Sequence, residues 1–379
     1  MIDNILLQKH DNSATRKRVP LLVPFFVHYL IILLGTLLPY YKNTENIPMA
    51  FNARADTWLQ WDSLWYLQIA HKGYQTTTST AFFPFVPLLL KAVNNVYVVL
   101  FITAIAFLIC MYLLQEFFKR MNMTDEQIRM GIWLFALNPC AFYYTTLYTE
   151  LWTVLFSLAS LHMAIKGKWI YACLFAALLT TTRATALIFG VFPLILFFMS
   201  LRKQDWKTAI KSVVWGLSTA VGLLSYMFYL YITYKDPIIF STTQKVNWDH
   251  YWEWPWIQMV QGFFGTIFAD IRDGRQGLWL VSMLFVYIGL FKIWSIRINV
   301  PWERWGVILF TVANVILAFS FNTRGVPFYS TFRYVSVVFP IYGLIAVVLP
   351  KRMQHIVLGL FAILAFVGAW TFTHHNWFA

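Results

Sequence analysis

Four ionisable side chains stand where so apolar a chain has little room for them: Asp62, Glu150, Arg183 and Arg333. An ionised group in hydrocarbon costs on the order of 2.5–3.5 kcal/mol on insertion scales, so each needs a partner or a task. Asp62 lies in Leu59-Gln60-Trp61-Asp62-Ser63-Leu64-Trp65-Tyr66. Rings on both sides withdraw water from its carboxylate, which raises its pKa and suits it to take a proton from a hydroxyl. The alternative is a helix cap or an interfacial hydrogen-bond acceptor. Arg183 lies among four threonines in Thr180-Thr181-Thr182-Arg183-Ala184-Thr185. Its guanidinium cannot lose its proton and needs an anion; a phosphate fits its planar fork, and Glu150 at a neighbouring hairpin tip competes for the same place. Glu150 could equally hold a sugar hydroxyl. Arg333, followed by Tyr334, is either a second cation for a phosphate or a boundary residue whose head snorkels to water.

Around Asp62, the side chains of Trp58, Trp61, Trp65 and Tyr66 can stack on sugar faces or anchor their segment at the headgroups. Asp56 reads as the N-cap of the same helix. The three cysteines, Cys110, Cys140 and Cys173, lie in apolar runs as small buried hydrophobes, and His374-His375 reads as a solvated pair. Glycine-rich phosphate loops, nucleophile elbows and CxxC pairs are absent from the sequence, which disfavours ATP or nucleotide-sugar chemistry. No metal set is read from it.

The elements that must position these residues follow from composition. Of 379 residues, 59% are hydrophobic and only 12% charged, against about 25% charged in soluble chains. This excludes disordered, collagenous and disulfide-stapled classes and predicts an all-α polytopic membrane protein, one integral domain over residues 1–379. Apolar runs mark about eleven transmembrane helices, each near the ~20 residues that cross the bilayer. They cover residues 19–41, 93–116, 130–148, 151–165, 169–184, 186–201, 212–233, 277–295, 305–321, 333–349 and 355–372. With the N-terminus inside and the C-terminus outside, most of the 29 Lys and Arg fall in short inner connections, as the positive-inside rule asks. The net charge of +13 is then a topology signal and an attraction to lipid headgroups, with no nucleic-acid footprint.

Two long outer segments remain, residues 42–92 and 234–276. Both are crowded with aromatics, which make up 19% of the chain, and are expected to carry interfacial helices. One such helix is predicted over Ala55 to Tyr74, with Gly73 as its C-cap. Without an internal repeat an inverted-repeat transporter is disfavoured. A transporter or flippase would also set its charges deep in mid-span, whereas these four gather toward one face. A non-catalytic scaffold is the other rival.

Trp61-Asp62-Ser63-Leu64-Trp65-Tyr66-Leu67-Gln68-Ile69-Ala70-His71-Lys72-Gly73-Tyr74, followed by Ala81-Phe82-Phe83-Pro84-Phe85-Val86-Pro87-Leu88-Leu89, resembles the signature of the PIG-V family. Later elements resemble it in the family's order: Asn138-Pro139, Tyr148-Thr149-Glu150, Thr182-Arg183-Ala184-Thr185-Ala186, Asp236-Pro237-Ile238-Ile239-Phe240 with Gln244 and Trp248, and Phe332-Arg333-Tyr334 with Phe339-Pro340. The likeness spans roughly residues 55–340. It departs from the pattern at Gln60 in place of Arg, Thr149 in place of Ser and Ala186 in place of Gly. The resemblance implies a GT-C type glycosyltransferase, a mannosyltransferase of a bacterial plasma membrane with its active site on the extracytoplasmic face. Its donor would be a polyprenyl-phosphate sugar and its acceptor a glycan or glycolipid, with no cofactor required and metal dependence open. By the same resemblance Asp62 is the catalytic acid of the first outer loop and Arg183 and Arg333 bind the donor phosphate. Glu150, Trp61, Trp65, Tyr66, Asp56 and Tyr334 are the candidate substrate-binding residues.

Overall fold

The computed structural model describes residues 19–37, 55–267, 275–323, 330–374 and 378. The chain is a helical membrane protein. Among the described residues four helices are long and apolar enough to cross a membrane: Val96–Arg120, Ala184–Arg202, Trp206–Tyr234 and Lys351–Thr373. Shorter apolar helices cover Leu22–Leu37, Glu150–Ile165, Trp169–Thr180 and Val281–Phe291.

In chain order the α-helices are α1 (Leu22–Leu37), α2 (Asp62–Lys72), α3 (Phe85–Val93), α4 (Val96–Arg120), α5 (Asp125–Ala136), α6 (Glu150–Ile165), α7 (Trp169–Thr180), α8 (Val191–Arg202) and α9 (Trp206–Tyr234). They continue with α10 (Ile239–Trp248), α11 (Pro255–Ile267), α12 (Arg275–Val286), α13 (Pro301–Ala318), α14 (Thr331–Ser336), α15 (Pro340–Val348) and α16 (Lys351–Thr373). A two-stranded antiparallel ribbon pairs β1 (His250–Trp252) with β2 (Phe321–Thr323), Tyr251 opposite Asn322.

The long helices carry the burial pattern of membrane spans. In α4, Tyr97, Phe101, Ile105 and Ile109 form an exposed stripe at four-residue spacing, while Thr103, Phe107, Cys110 and Leu114 are buried on the other side. In α9 the exposed row is Ile210, Leu217, Leu224 and Phe228. Helix α6 is buried along most of its length between α4 and α7. Small residues and hydroxyls bring its neighbours together, as in packing without a hydrophobic drive. Gly222 lets α9 cross α7 so closely that a Cβ would meet the Ala177 carbonyl. At the same crossing Thr180 Oγ1 donates to the Thr219 carbonyl at 2.7 Å and accepts the Leu223 N–H at 3.2 Å. Trp215 donates to Ser160 Oγ at 2.9 Å, which in turn donates to the Ala172 carbonyl at 2.7 Å.

Two predicted spans are broken helices. The run over 130–148 is helical only to Ala136, because Pro139 cannot continue the ladder, and the chain turns through a 3-10 helix at Ala141–Tyr144. The run over 333–349 is split into α14 and α15 ahead of Pro340. Freed backbone groups buried in an apolar interior must be paired. Asn138 Nδ2 donates to the Phe135 carbonyl and its Oδ1 accepts the Cys140 N–H. The Ser336 carbonyl accepts the hydroxyls of Tyr144 at 3.0 Å and Tyr342 at 2.9 Å. The two breaks thus face each other in the core, and Glu150 and Arg333 lie beside them.

The helix predicted over Ala55 to Tyr74 is also interrupted. A 3-10 turn at Ala55–Trp58 is followed by a reversal at Trp61 (φ 53°), and α2 begins at Asp62. Asp56 is therefore not the N-cap of α2; its side chain lies outside the described residues. Gly73 closes α2 as expected, with φ 73° and its N–H on the Ile69 carbonyl. His375 of the predicted solvated pair also lies outside the described residues.

Candidate active site

The segments read as outer loops roof one end of the bundle. Thr243 Oγ1 of α10 donates to the Thr77 carbonyl at 3.1 Å, Asn247 Nδ2 donates to Thr78 Oγ1 at 2.6 Å, and the Tyr226 hydroxyl donates to the Thr80 carbonyl at 2.8 Å. These bonds tie α10 and α9 to the 3-10 turn Thr77–Ala81, and β1 continues from α10 over the same space. Beneath lies a cavity of about 890 Å³.

The four sequence-singled charges meet at its floor. Arg333 Nη2 lies 2.9 Å from Asp62 Oδ2, and Arg333 Nε donates to Glu150 Oε1 at 2.8 Å. Arg183 Nη2 donates to the same Glu150 oxygen at 2.8 Å and to Thr149 Oγ1 at 2.9 Å. Two carboxylates and two guanidiniums form one chain of zero net charge, which is how a buried charge cluster becomes tolerable. Its members differ in access. Glu150 is 0% exposed and does not line the cavity, whereas Asp62, Arg183 and Arg333 do. Glu150 Oε2 has no hydrogen-bond partner among the described residues.

The two arginines also differ in what remains of their donors. Arg333 lies over the rings of Tyr143 (5.1 Å) and Tyr148 (4.9 Å) in addition to its two ion pairs. Arg183 uses only Nη2 among the described residues, so Nε and Nη1 remain for a ligand; Tyr334 lies 5.9 Å below its guanidinium. Likewise Asp62 Oδ1 has no partner among the described residues, while Oδ2 is held by Arg333. Burial pushes the Asp62 carboxyl above its ordinary range; the adjacent Arg333 opposes that shift and the Glu150 charge adds to it.

Aromatic rings make the walls. Trp65 stacks on Phe82 at 5.4 Å and 12°, and Trp248 meets both edge-on. Trp61, Trp65, Tyr66 and Tyr334 all line the cavity. Tyr66 is buried edge-on against Phe82 and is mostly wall.

The structure adds lining residues the sequence reading passed over: Lys245, His250 and Asn314. Lys245 has no ion-pair partner among the described residues. His250 stacks on Phe321 at 4.8 Å, and burial lowers its pKa to about 4, so its imidazole is neutral. A left-handed Asp249 (φ 48°) turns the chain from α10 into β1 and brings His250 over the cavity. For Lys245 and His250 the only signal in the sequence is their place in the aromatic segment 234–276; Asn314 lies inside the predicted span 305–321, where nothing sets it apart.

The site therefore offers a largely buried carboxylate with one oxygen unpaired among the described residues, a cation whose Nε and Nη1 are likewise unpaired among them, and aromatic walls. No family model matches the chain, and no curated protein matches it either.

Proposed function

We propose that the chain is a GT-C type glycosyltransferase. It moves a sugar, mannose by the resemblance to the PIG-V family, from a polyprenyl-phosphate donor to an acceptor hydroxyl with inversion. The observation that carries this reading is the pairing, in one aromatic-walled cavity, of Asp62 Oδ1 without a partner among the described residues and Arg183 with Nε and Nη1 likewise unused.

Asp62 Oδ1 takes the proton of the acceptor hydroxyl. That oxygen attacks the anomeric carbon from the face opposite the polyprenyl phosphate, the carbon–oxygen bond to phosphate breaks, and the phosphate departs with the bonding pair. Its charge is met by Arg183, helped by Lys245, which has no ion-pair partner among the described residues, and stabilisation of developing charge by donors already in place supplies much of the acceleration. The resemblance assigns Arg333 to the phosphate as well. Its two ion pairs and two ring contacts instead favour holding Asp62 and Glu150. Trp61 and Trp65 offer ring faces and edges to the sugars, and Tyr334 supports Arg183 from below.

The same reading sets the chain in a bacterial plasma membrane with about eleven spans, the N-terminus inside and the cavity on the extracytoplasmic side, where interfacial helices of the two long loops roof it. Its acceptor is a glycan or glycolipid, and its donor tail lies among membrane lipids.

The test is transfer of labelled mannose from polyprenyl-phosphate mannose by the purified protein in lipid nanodiscs, with Asp62→Asn as the control. Product in the native chain and none in the folded variant is expected. Labelled lipid that crosses proteoliposomes with no covalent product would overturn the reading in favour of a flippase.

A further inference from the structure

Gln60 to Ser63 form a tight turn closed by the Ser63 N–H on the Gln60 carbonyl at 3.1 Å, with Trp61 at φ 53° and ψ −111°. That is the first central position of a type II′ turn, a place for glycine, because a Cβ is crowded there. A tryptophan in the slot is strained, and strain of this kind persists only where the surroundings over-determine it.

One hydroxyl braces the turn from both sides. The Tyr148 Oη accepts the backbone N–H of Asp62 and donates to the Gln60 carbonyl, each at 3.3 Å, so it spans the turn on both sides of Trp61. The same tyrosine acts at the other end of Asp62: its ring lies 4.9 Å below the guanidinium of Arg333, which holds Asp62 Oδ2. Tyr148 is itself fully buried, against Tyr143 at 4.5 Å and Phe372 at 5.8 Å, and can serve as a fixed reference.

We infer that Tyr148 is the positioning residue for Asp62, clamping the strained Trp61 turn with its hydroxyl and seating Arg333 with its ring, so that Oδ1 is left for the substrate. The inference rests on Asp62 being the base. It assigns a task to a tyrosine that touches no substrate, and it explains why a tryptophan is tolerated where glycine belongs.

The test uses the full-length protein in nanodiscs with polyprenyl-phosphate mannose as donor. Tyr148→Phe keeps the ring under Arg333 and removes only the hydroxyl. Turnover should fall about ten- to hundred-fold, as small misplacements of a catalytic group do. The donor KM should stay within about twofold, because the phosphate contacts are untouched. The acid limb of kcat/KM should move to higher pH, because a looser Asp62 loses part of the opposing influence of Arg333. The other groups that face Asp62 are Glu150 from α6, Arg183 from the turn after α7, and the phenols of Tyr66, Tyr143 and Tyr334; none of them is altered.

A second measurement reads the clamp without activity. Trp61→Gly removes the strain, so the loss of thermal midpoint caused by Tyr148→Phe should be smaller in a Trp61→Gly background than in the native chain. Native turnover and an unmoved acid limb in Tyr148→Phe, with Asp62→Asn inactive, overturn the positioning role and leave Asp62 as base. Equal midpoint losses in the two backgrounds overturn the clamp. Native turnover in Asp62→Asn overturns both readings at once.

Discussion

Asp62 Oδ2 and Arg333 Nη2 lie 2.9 Å apart, although one opens a short helix near the start of the chain and the other sits in a six-residue helix near its end. The pair forms because a reversal at Trp61 and a broken helix before Pro340 both end at the same cavity floor. Arg333 passes the contact on to Glu150, and Glu150 to Arg183. A carboxylate held on one oxygen, with the other unpaired among the described residues, is the arrangement from which the proposed reading expects the following outcomes.

Asp62→Asn abolishes transfer while the protein stays folded. In the native chain the acid limb of kcat/KM lies above the ordinary carboxylate value of about 3.9, because burial raises the Asp62 pKa and activity needs its ionised form. The stability effect has the opposite sign. With its folded value raised, Asp62 contributes fully below the ordinary carboxylate range, and that contribution is lost as pH rises through the raised value. The thermal midpoint of Asp62→Asn should therefore fall less than that of the native chain over this window. An acid limb at the ordinary value would contradict the account.

Arg183→Ala raises the donor KM on the order of ten- to a hundred-fold, the worth of a charge-assisted hydrogen bond to phosphate. Lys245→Ala should act in the same direction and less strongly, because its exposed ammonium is better solvated. Arg333→Ala should instead lower kcat with little change in donor KM. Steady-state kinetics against donor concentration separates the two behaviours, and a donor KM that responds to Arg333 but not to Arg183 would reverse the assignment.

Glu150→Ala leaves the buried Arg333 and the partly buried Arg183 without their shared acceptor and should cost about 3–5 kcal/mol, read as a large drop in thermal midpoint. Glu150→Gln keeps an oxygen for the arginines and removes a charge that raises the Asp62 pKa, so its acid limb should move to lower pH. An unchanged midpoint in Glu150→Ala would show that the charge chain is not what holds the site.

Gly222→Leu drives a side chain into the Ala177 carbonyl where α9 crosses α7 and into the Thr180 hydroxyl that bonds across the crossing. Overpacking of this kind costs about 1–3 kcal/mol. Gly190→Ala is the matched control, since a Cβ there meets nothing within 4 Å. A midpoint in Gly222→Leu no lower than in Gly190→Ala would mean that the crossing is looser than its geometry implies.

Much of this was legible in the residues themselves. The apolar runs announced α4, α9 and α16 because length and hydrophobicity are local properties. The four charges announced themselves because an ionised group is conspicuous in an apolar chain. Gly73 as the end of α2 followed from its freedom at positive φ. Other readings failed for a nameable reason: hydropathy does not register a broken helix, so 130–148 and 333–349 looked like whole spans, although Pro139 and Pro340 were in plain view. The pattern over Ala55 to Tyr74 runs through Trp61 without a break, because nothing in a tryptophan's chemistry signals a left-handed turn.

By itself, then, the sequence determined that the chain is a helical membrane protein, that its four isolated charges need partners, and that Asp62 sits among rings, since composition and spacing follow from covalent order alone. Which charge pairs with which was decided only by the tertiary structure. Arg183 and Arg333 could each have met a phosphate or a neighbouring acid, and Glu150 an arginine or a sugar hydroxyl; the choice depends on where two helix breaks leave their ends. The task of Tyr148 was likewise invisible, because one hydroxyl bridging Gln60 and Asp62 is a relation between distant segments that exists only once the core has closed around it.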